Sequence, residues 1–270
     1  MALYLKSRST TELACNVKRV NASIDPDNWD AHWSEFADAI STNPGQIFRH
    51  RLVKKLLTQF GYTLTLTDIG CGQGDFLFSL SKNDSYKLQG VELSAAGTQI
   101  SKQKVPTASV RQLDLLSQFE FPVDFTQADV LTAIEVIEHL DDPRQFLVNA
   151  QRFLKPEGYF IITVPSGPKT SFDKHIGHRR HYSPSELSDL MTTVGLDVVT
   201  CYRTGWPFFN LYRLTVMMRG KKLIADVSND ISKNRLAIVV SKIFTILLKY
   251  NIPIRRMGWQ LVAVGRKTSN

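Results

Sequence analysis

Cysteine is scarce in this chain: Cys15, Cys71 and Cys201 are far apart and odd in number among 270 residues. A disulfide framework is excluded and a reducing compartment is expected. No uncharged apolar run approaches the roughly 18 residues of a membrane-spanning helix. The opening segment is polar, without the apolar core of a secretory signal. A cytoplasmic location is expected, with peripheral contact at the inner membrane surface as a variant. The sequence contains no internal repeat, no low-complexity tract and no aromatic RNP strand or KH loop that would mark an RNA-binding module. It also lacks the paired cysteines of a zinc module.

Acid is the other deficit. Lys and Arg number 33 against 25 Asp and Glu, a formal charge of +8 with a pI near 9.4. An acidic partner is implied: nucleic acid, an anionic lipid surface or a phosphorylated substrate. The positive residues gather at Arg49 to Lys55, at His175 to His181 and toward the C-terminus. Hydrophobic content of 43% supports one full core with elaborations.

What is present centres on Thr67-Asp68-Ile69-Gly70-Cys71-Gly72-Gln73-Gly74-Asp75, with Val91-Glu92 about twenty residues further on. An alternating run (Tyr62, Leu64, Leu66, Ile69) precedes it, and Phe76, Leu77 and Leu80 follow at helical spacing. Strand, glycine turn, helix and a second strand ending in an acid describe a nucleotide-binding βαβ unit. A dinucleotide fingerprint would want a small residue where Asp75 stands, and Asp68 and Asp75 would repel a pyrophosphate. A cationic, phosphate-free adenosyl ligand would be attracted instead. Cys71, inside the turn, is there for its small size.

The Asp-x-Gly-x-Gly-x-Gly run at Asp68, Gly70, Gly72 and Gly74 resembles motif I of class I S-adenosylmethionine-dependent methyltransferases. The resemblance covers 43–204 and 259–266. It implies a doubly wound Rossmann-like α/β sheet of about seven strands, mostly parallel with an antiparallel last strand. It also implies S-adenosyl-L-methionine as cofactor and S-adenosyl-L-homocysteine as product. Glu92, with Leu93 beside it, is then expected at the ribose hydroxyls, unless it is a solvated strand-end acid. Asp114 and Leu115 are expected at the adenine, unless Asp114 is a loop acid. Asp68 supports the turn and faces the positive end of the cofactor. Glu135 closes the fourth strand in the same row. Asn43-Pro44 followed by arginine resembles the arm of ubiquinone-biosynthesis O-methyltransferases, and Arg49 or Arg51 is a candidate for the methionine carboxylate.

Glu135-Val136-Ile137-Glu138-His139-Leu140 resembles the family's motif IV, which makes His139 the first candidate for a general base. A structural helix-start role for Glu138 and His139 is the alternative. Small-RNA 2′-O-methyltransferases and some quinone O-methyltransferases resemble this stretch and hold a divalent metal there. An RNA 2′-O-methyltransferase with metal at Glu135, Glu138 and His139 is therefore an alternative function, although no metal is the primary expectation and nucleic acid is not the favoured partner. The segment Gly177-His178-Arg179-Arg180-His181-Tyr182-Ser183 resembles a loop that borders the acceptor pocket. His178 is the second candidate base, with Arg179 or Arg180 for an anionic group. The expected reaction is methyl transfer to a small-molecule or lipid-linked acceptor at oxygen, a lipid or polysaccharide precursor at the membrane being one variant.

Periodicity and caps predict helices over 47–60, 75–82 and 95–104, one after Asp142-Pro143, and one after the capping box Ser183-Pro184-Ser185-Glu186. Strands are expected at 62–69, 86–92, 107–113, 128–135, 159–164, 196–203 and 259–266, with Pro156-Glu157-Gly158 as a turn. Three divisions follow: an N-terminal arm at 1–45 anchored by Trp29, Trp33 and Phe36; a cofactor-binding domain at 46–204 and 259–270; and a helical insertion, lid or interface at 205–258. Leu236 to Leu248 is almost wholly apolar, with Lys242 and Lys249 one heptad apart, so the insertion is also a candidate for an interfacial membrane helix.

Overall fold

A computed structural model describes residues 27–228, 235–252, 254 and 256–269. Cys15 and most of the expected arm lie outside the described residues. The elements run α1 (Trp29–Ser41), α2 (Pro44–Leu57), β1 (Leu64–Ile69), α3 (Asp75–Leu80), β2 (Tyr86–Glu92), α4 (Ala95–Lys104), β3 (Ser109–Gln112), β4 (Ala128–Ile134), α5 (Pro143–Ala150), β5 (Leu154–Pro165), α6 (Ser171–His175), α7 (Pro184–Thr193), β6 (Leu196–Thr204), α8 (Phe208–Ser228), α9 (Arg235–Leu247) and β7 (Gln260–Lys267).

The seven strands form one sheet in the order β3-β2-β1-β4-β5-β7-β6. β1 to β5 are parallel, and β7 runs antiparallel to both β5 and β6. This is the expected Rossmann-like class. Strand order reverses between β1 and β4, so a crevice forms beyond their carboxyl ends, where open α/β sheets hold ligands.

Side-chain alternation divides the core between the two faces. Leu131, Ala133, Phe160, Ile162, Leu261 and Ala263 point to one cluster with α5 and α7. Val130, Ile161, Val262 and Val264 point to the other, with α2 and α3. Both faces are dry, as a sheet covered by helices requires.

Local chemistry sets the helix starts. Asn43 accepts from Gln46 N–H (3.1 Å) with Pro44 in the first helical turn of α2, and Asp142 caps α5 through Gln145 N–H (2.9 Å). Ser183 and Glu186 form a reciprocal box at α7, and Thr170 and Asp173 another at α6. One boundary differs in kind. Residues 156–158 are not a turn: β5 begins at Leu154 and passes through them. The register against β4 shifts between Ala128 and Val130, and Glu157 takes a φ of 65°. A bulge absorbs the residues that punctuate other sequences.

Between β6 and β7 lie α8 and α9, packed on α2 through a small third core of Phe48, Phe209 and Leu248. No helix among the described residues is long and apolar enough to cross a membrane.

Candidate active site

The turn after β1 is made of backbone held open. Gly70, Gly72 and Gly74 have φ of 73°, 53° and 78°, a region L side chains avoid. A Cβ at Gly72 would stand 2.5 Å from the Trp33 ring, and one at Gly70 2.6 Å from Val136. The turn is therefore pressed by α1 on one side and by the end of β4 on the other.

Glu92, at the end of β2, is buried. Its Oε2 accepts the Gly72 N–H (2.7 Å) and its Oε1 the Ser94 N–H (3.0 Å). Each oxygen keeps a lone pair for a further donor, which suits a pair of ribose hydroxyls. Burial raises its pKa and these N–H bonds pull it back. Asp68 is buried beside Thr132, whose hydroxyl donates at 2.6 Å. Burial lifts its pKa to about 7, Glu92's charge adding and the Thr132 bond opposing. Cys71 is buried with its thiol pushed well up, so it is not a nucleophile.

Other cofactor-side expectations land differently. Asp114 is exposed, and its carboxylate accepts from Leu116 N–H (2.8 Å) and Ser117 hydroxyl (2.6 Å), closing its own loop. Leu93 is about half exposed, whereas the Leu115 side chain is core. Arg49 faces Glu135 across 2.9 Å and also donates to Gln260 Oε1 (2.9 Å). Arg51 donates to the Thr245 carbonyl (3.2 Å). Glu135 itself has a φ of 58°, a strained backbone for a non-glycine residue. It is held by Arg49, by Gln260 Nε2 (2.7 Å) and by the Thr163 hydroxyl (3.2 Å). Engaged in this way, Glu135 is separated from the metal-type group predicted for it: Glu138, His139 and His178 are the residues brought within ligating distance of one another.

That second group is the more unusual. Glu138 is fully buried, and among the described residues neither carboxylate oxygen has a hydrogen-bond partner. Burial drives its pKa well above the carboxylate range, and Glu135's charge adds to the effect. The His139 ring stands edge-on between Trp29 (4.9 Å) and His178 (4.7 Å), with Nδ1 unpartnered among the described residues. Burial lowers its pKa to about 4.

His178 and His181 make a relay whose tautomers follow from its end. The Gly167 carbonyl can only accept, so His181 Nδ1 donates to it (3.0 Å) and His181 Nε2 carries a lone pair. His178 Nδ1 then donates to that lone pair (3.2 Å), leaving His178 Nε2 as an unprotonated acceptor. Burial depresses His178's basicity strongly, helped by the neighbouring His139 and His181. Asp173 lies 3.7 Å from His178 and 3.8 Å from His181, and forms a buried ion pair with Arg213 of α8 at 2.7 Å.

Arg179 and Arg180 do not offer free guanidinium groups to an anion. Arg179 donates to the His139 carbonyl (2.5 Å) and pairs with Asp27 and Asp141 (both 3.1 Å). Arg180 donates to the carbonyls of Leu140 and Asp141. They hold the turn that carries Glu138 and His139. His175 is exposed, outside the histidine relay.

Sequence reasoning missed Asp173, Arg213 and Gln260, and it valued Trp33 only as an anchor. Gln260 had a signal, a polar residue opening an apolar strand. Arg213 had none, because it reaches the site from a helix far along the chain.

The residues fit an adenosyl donor at the glycine turn and Glu92, and comparisons with known proteins agree. A family model described as a methyltransferase domain matches residues 40–201. The "Probable S-adenosylmethionine-dependent methyltransferase" of Mycolicibacterium smegmatis is 27% identical over 154 residues, 56% of this chain and 58% of its own length. The ubiquinone biosynthesis O-methyltransferase of Saccharophagus degradans is 26% identical over 168 residues, 55% of this chain and 70% of its own. The chain thus spans little more than half of the first of these relatives. Among solved structures, Haemonchus contortus phosphoethanolamine N-methyltransferase 2, bound to S-adenosyl-L-methionine, aligns with a TM-score of 0.54 over 87% of this chain and 59% of its own, at 15% identity, a likeness of fold. The chain belongs to the class I S-adenosylmethionine-dependent methyltransferase superfamily.

Proposed function

We propose that this member of the methyltransferase superfamily transfers a methyl group from S-adenosylmethionine to an oxygen of a small-molecule or lipid-linked acceptor, with His178 as general base. The bound donor supplies an electrophilic methyl on its sulfonium. The chain's own work is to hold the adenosyl part at Gly72 and Glu92 and to keep Asp68's carboxylate near the positive charge. It also keeps an imidazole nitrogen of His178 unprotonated, next to the turn that carries Glu138 and His139. An acceptor hydroxyl that attacks the methyl must release its proton. His178 Nε2 is the acceptor for it, its other nitrogen fixed as donor by His181, and the Asp173 carboxylate 3.7 Å away offsets the positive charge that burial opposes.

The observation that carries the reading is this relay, which stands against His139 of the turn after β4 (ring centroids 4.7 Å). Its test is a labelled-methyl assay over lipid and metabolite extracts with His178→Ala, His139→Ala and His181→Ala. Loss of transfer with unchanged S-adenosylhomocysteine affinity in His178→Ala supports the role; full turnover removes it.

A divalent cation at Glu138, His139 and His178 is a second reading, favoured by Glu138's two unpartnered oxygens. It would serve an RNA 2′-hydroxyl as well as a small molecule. Transfer that collapses with chelator and returns with Mg²⁺ or Mn²⁺, together with a steep salt dependence of RNA binding, supports it; indifference to both ends it.

A further inference from the structure

Helix α9 and the single turn that continues it over Leu248–Tyr250 direct Phe244 and Leu248 inward, the former against Tyr212 (ring centroids 5.4 Å). Its opposite face should be polar if it met only water. Instead Val239, Ile243, Ile246 and Tyr250 recur there at i, i+4, i+7 and i+11, between 48% and 66% exposed. Lys242 and Lys249 are exposed on the adjacent stripe. On α8, Leu211, Leu214 and Met218 are exposed as well.

Charge narrows the occupant. Between Ile231 and Gly258 the sequence has six Lys or Arg and no Asp or Glu. Helix α2, to which α9 is tied by the Arg51–Thr245 hydrogen bond, likewise contains Arg49, Arg51, Lys54 and Lys55 and no acid. A second copy docked here by a two-fold axis would set these lysines against themselves. An anionic surface complements them.

We propose that the outward face of α9, with the exposed residues of α8, docks the protein on an anionic lipid bilayer. The apolar stripe enters the interface and Lys242 and Lys249 meet the headgroups. The helix lies on the bilayer; no described helix is long and apolar enough to cross it. Helix α8 runs from this surface to the site, where Arg213 pairs with Asp173 and Phe209 packs near Phe48. Delivery of a lipid-linked acceptor along this path rests on the reading above; the docking surface does not.

The test is co-sedimentation of the full chain with vesicles of phosphatidylcholine alone and of equimolar phosphatidylcholine and phosphatidylglycerol. Binding is expected to the second and not the first. Ile243→Glu/Ile246→Glu and Lys242→Glu/Lys249→Glu should each lower partitioning by roughly tenfold or more. Calorimetry with S-adenosylhomocysteine should show unchanged affinity in both variants, which separates lost docking from lost folding. Failure to bind the anionic vesicles, or wild-type binding by both variants, overturns the proposal. A dimer seen by light scattering that Ile243→Glu/Ile246→Glu splits also overturns it, assigning the face to a second copy. If docking holds but vesicle-embedded extracts yield no methylated product, the lipid-linked acceptor fails and the surface stands.

Discussion

The two halves of the crevice are built by different means. On the β1–β2 side, contact is local and uses backbone: a three-glycine turn, and an acid at the end of the next strand bonded to that turn's own N–H. On the β4–β5 side, distant side chains meet. Arg213 reaches Asp173 across 40 positions, Gln260 reaches Glu135 across 125, and Arg49 reaches Gln260 across 211. A short motif can encode the first half, while only a finished fold assembles the second. The first half therefore fits a ligand common to a large family, and the second can diverge with the acceptor.

Substitutions can separate the halves. The largest effect belongs to His178→Ala, which should lower turnover by about a thousandfold while cofactor affinity, followed by calorimetry, stays put. Next is Asp173→Ala, which strands the buried Arg213 charge. Chemical denaturation should show a loss of about 3 kcal/mol, whereas Arg213→Met with Asp173→Asn should recover much of it. On the opposite side, Glu92→Ala should weaken S-adenosylhomocysteine binding by roughly ten- to a hundredfold, the worth of hydrogen bonds to a charged group. Folding should be less affected than in Asp173→Ala.

The smallest effect concerns pH. Asp68's pKa is raised to about 7 in the folded chain. Its contribution to stability is therefore present below the ordinary carboxylate value and is lost as pH rises through about 7. A cationic ligand favours the ionised form. Affinity for the cofactor should accordingly rise with pH up to about 7, by at most tenfold per unit, and level off above it, with proton release in calorimetry on the rising limb. Asp68→Asn should flatten that slope.

The same contrast explains what was legible in advance. The βαβ unit, the Asp142 and Ser183 caps and the strand order's general class could be read because each is written in neighbouring residues. The passage of β5 through Pro156-Glu157-Gly158 was not legible, because pairing with β4 overrides local turn chemistry. Asp114's place at the end of a strand was legible, whereas the loop that its carboxylate closes onto Ser117 was not. Arg179 or Arg180 read as a partner for an anionic group, yet both are bound to carbonyls between His139 and Asp141. A charged side chain in a loop says nothing of which distant carbonyl it will meet. His178's tautomer depended on Gly167, eleven residues back and invisible to any spacing rule.

Calorimetry of the intact chain with S-adenosylhomocysteine and, separately, with NAD⁺ addresses the ligand for which the glycine turn and Glu92 are built. One-site binding of S-adenosylhomocysteine, lost or sharply weakened in Glu92→Ala, with no heat from NAD⁺, is the predicted result. Tight binding of NAD⁺ with none of S-adenosylhomocysteine would contradict it.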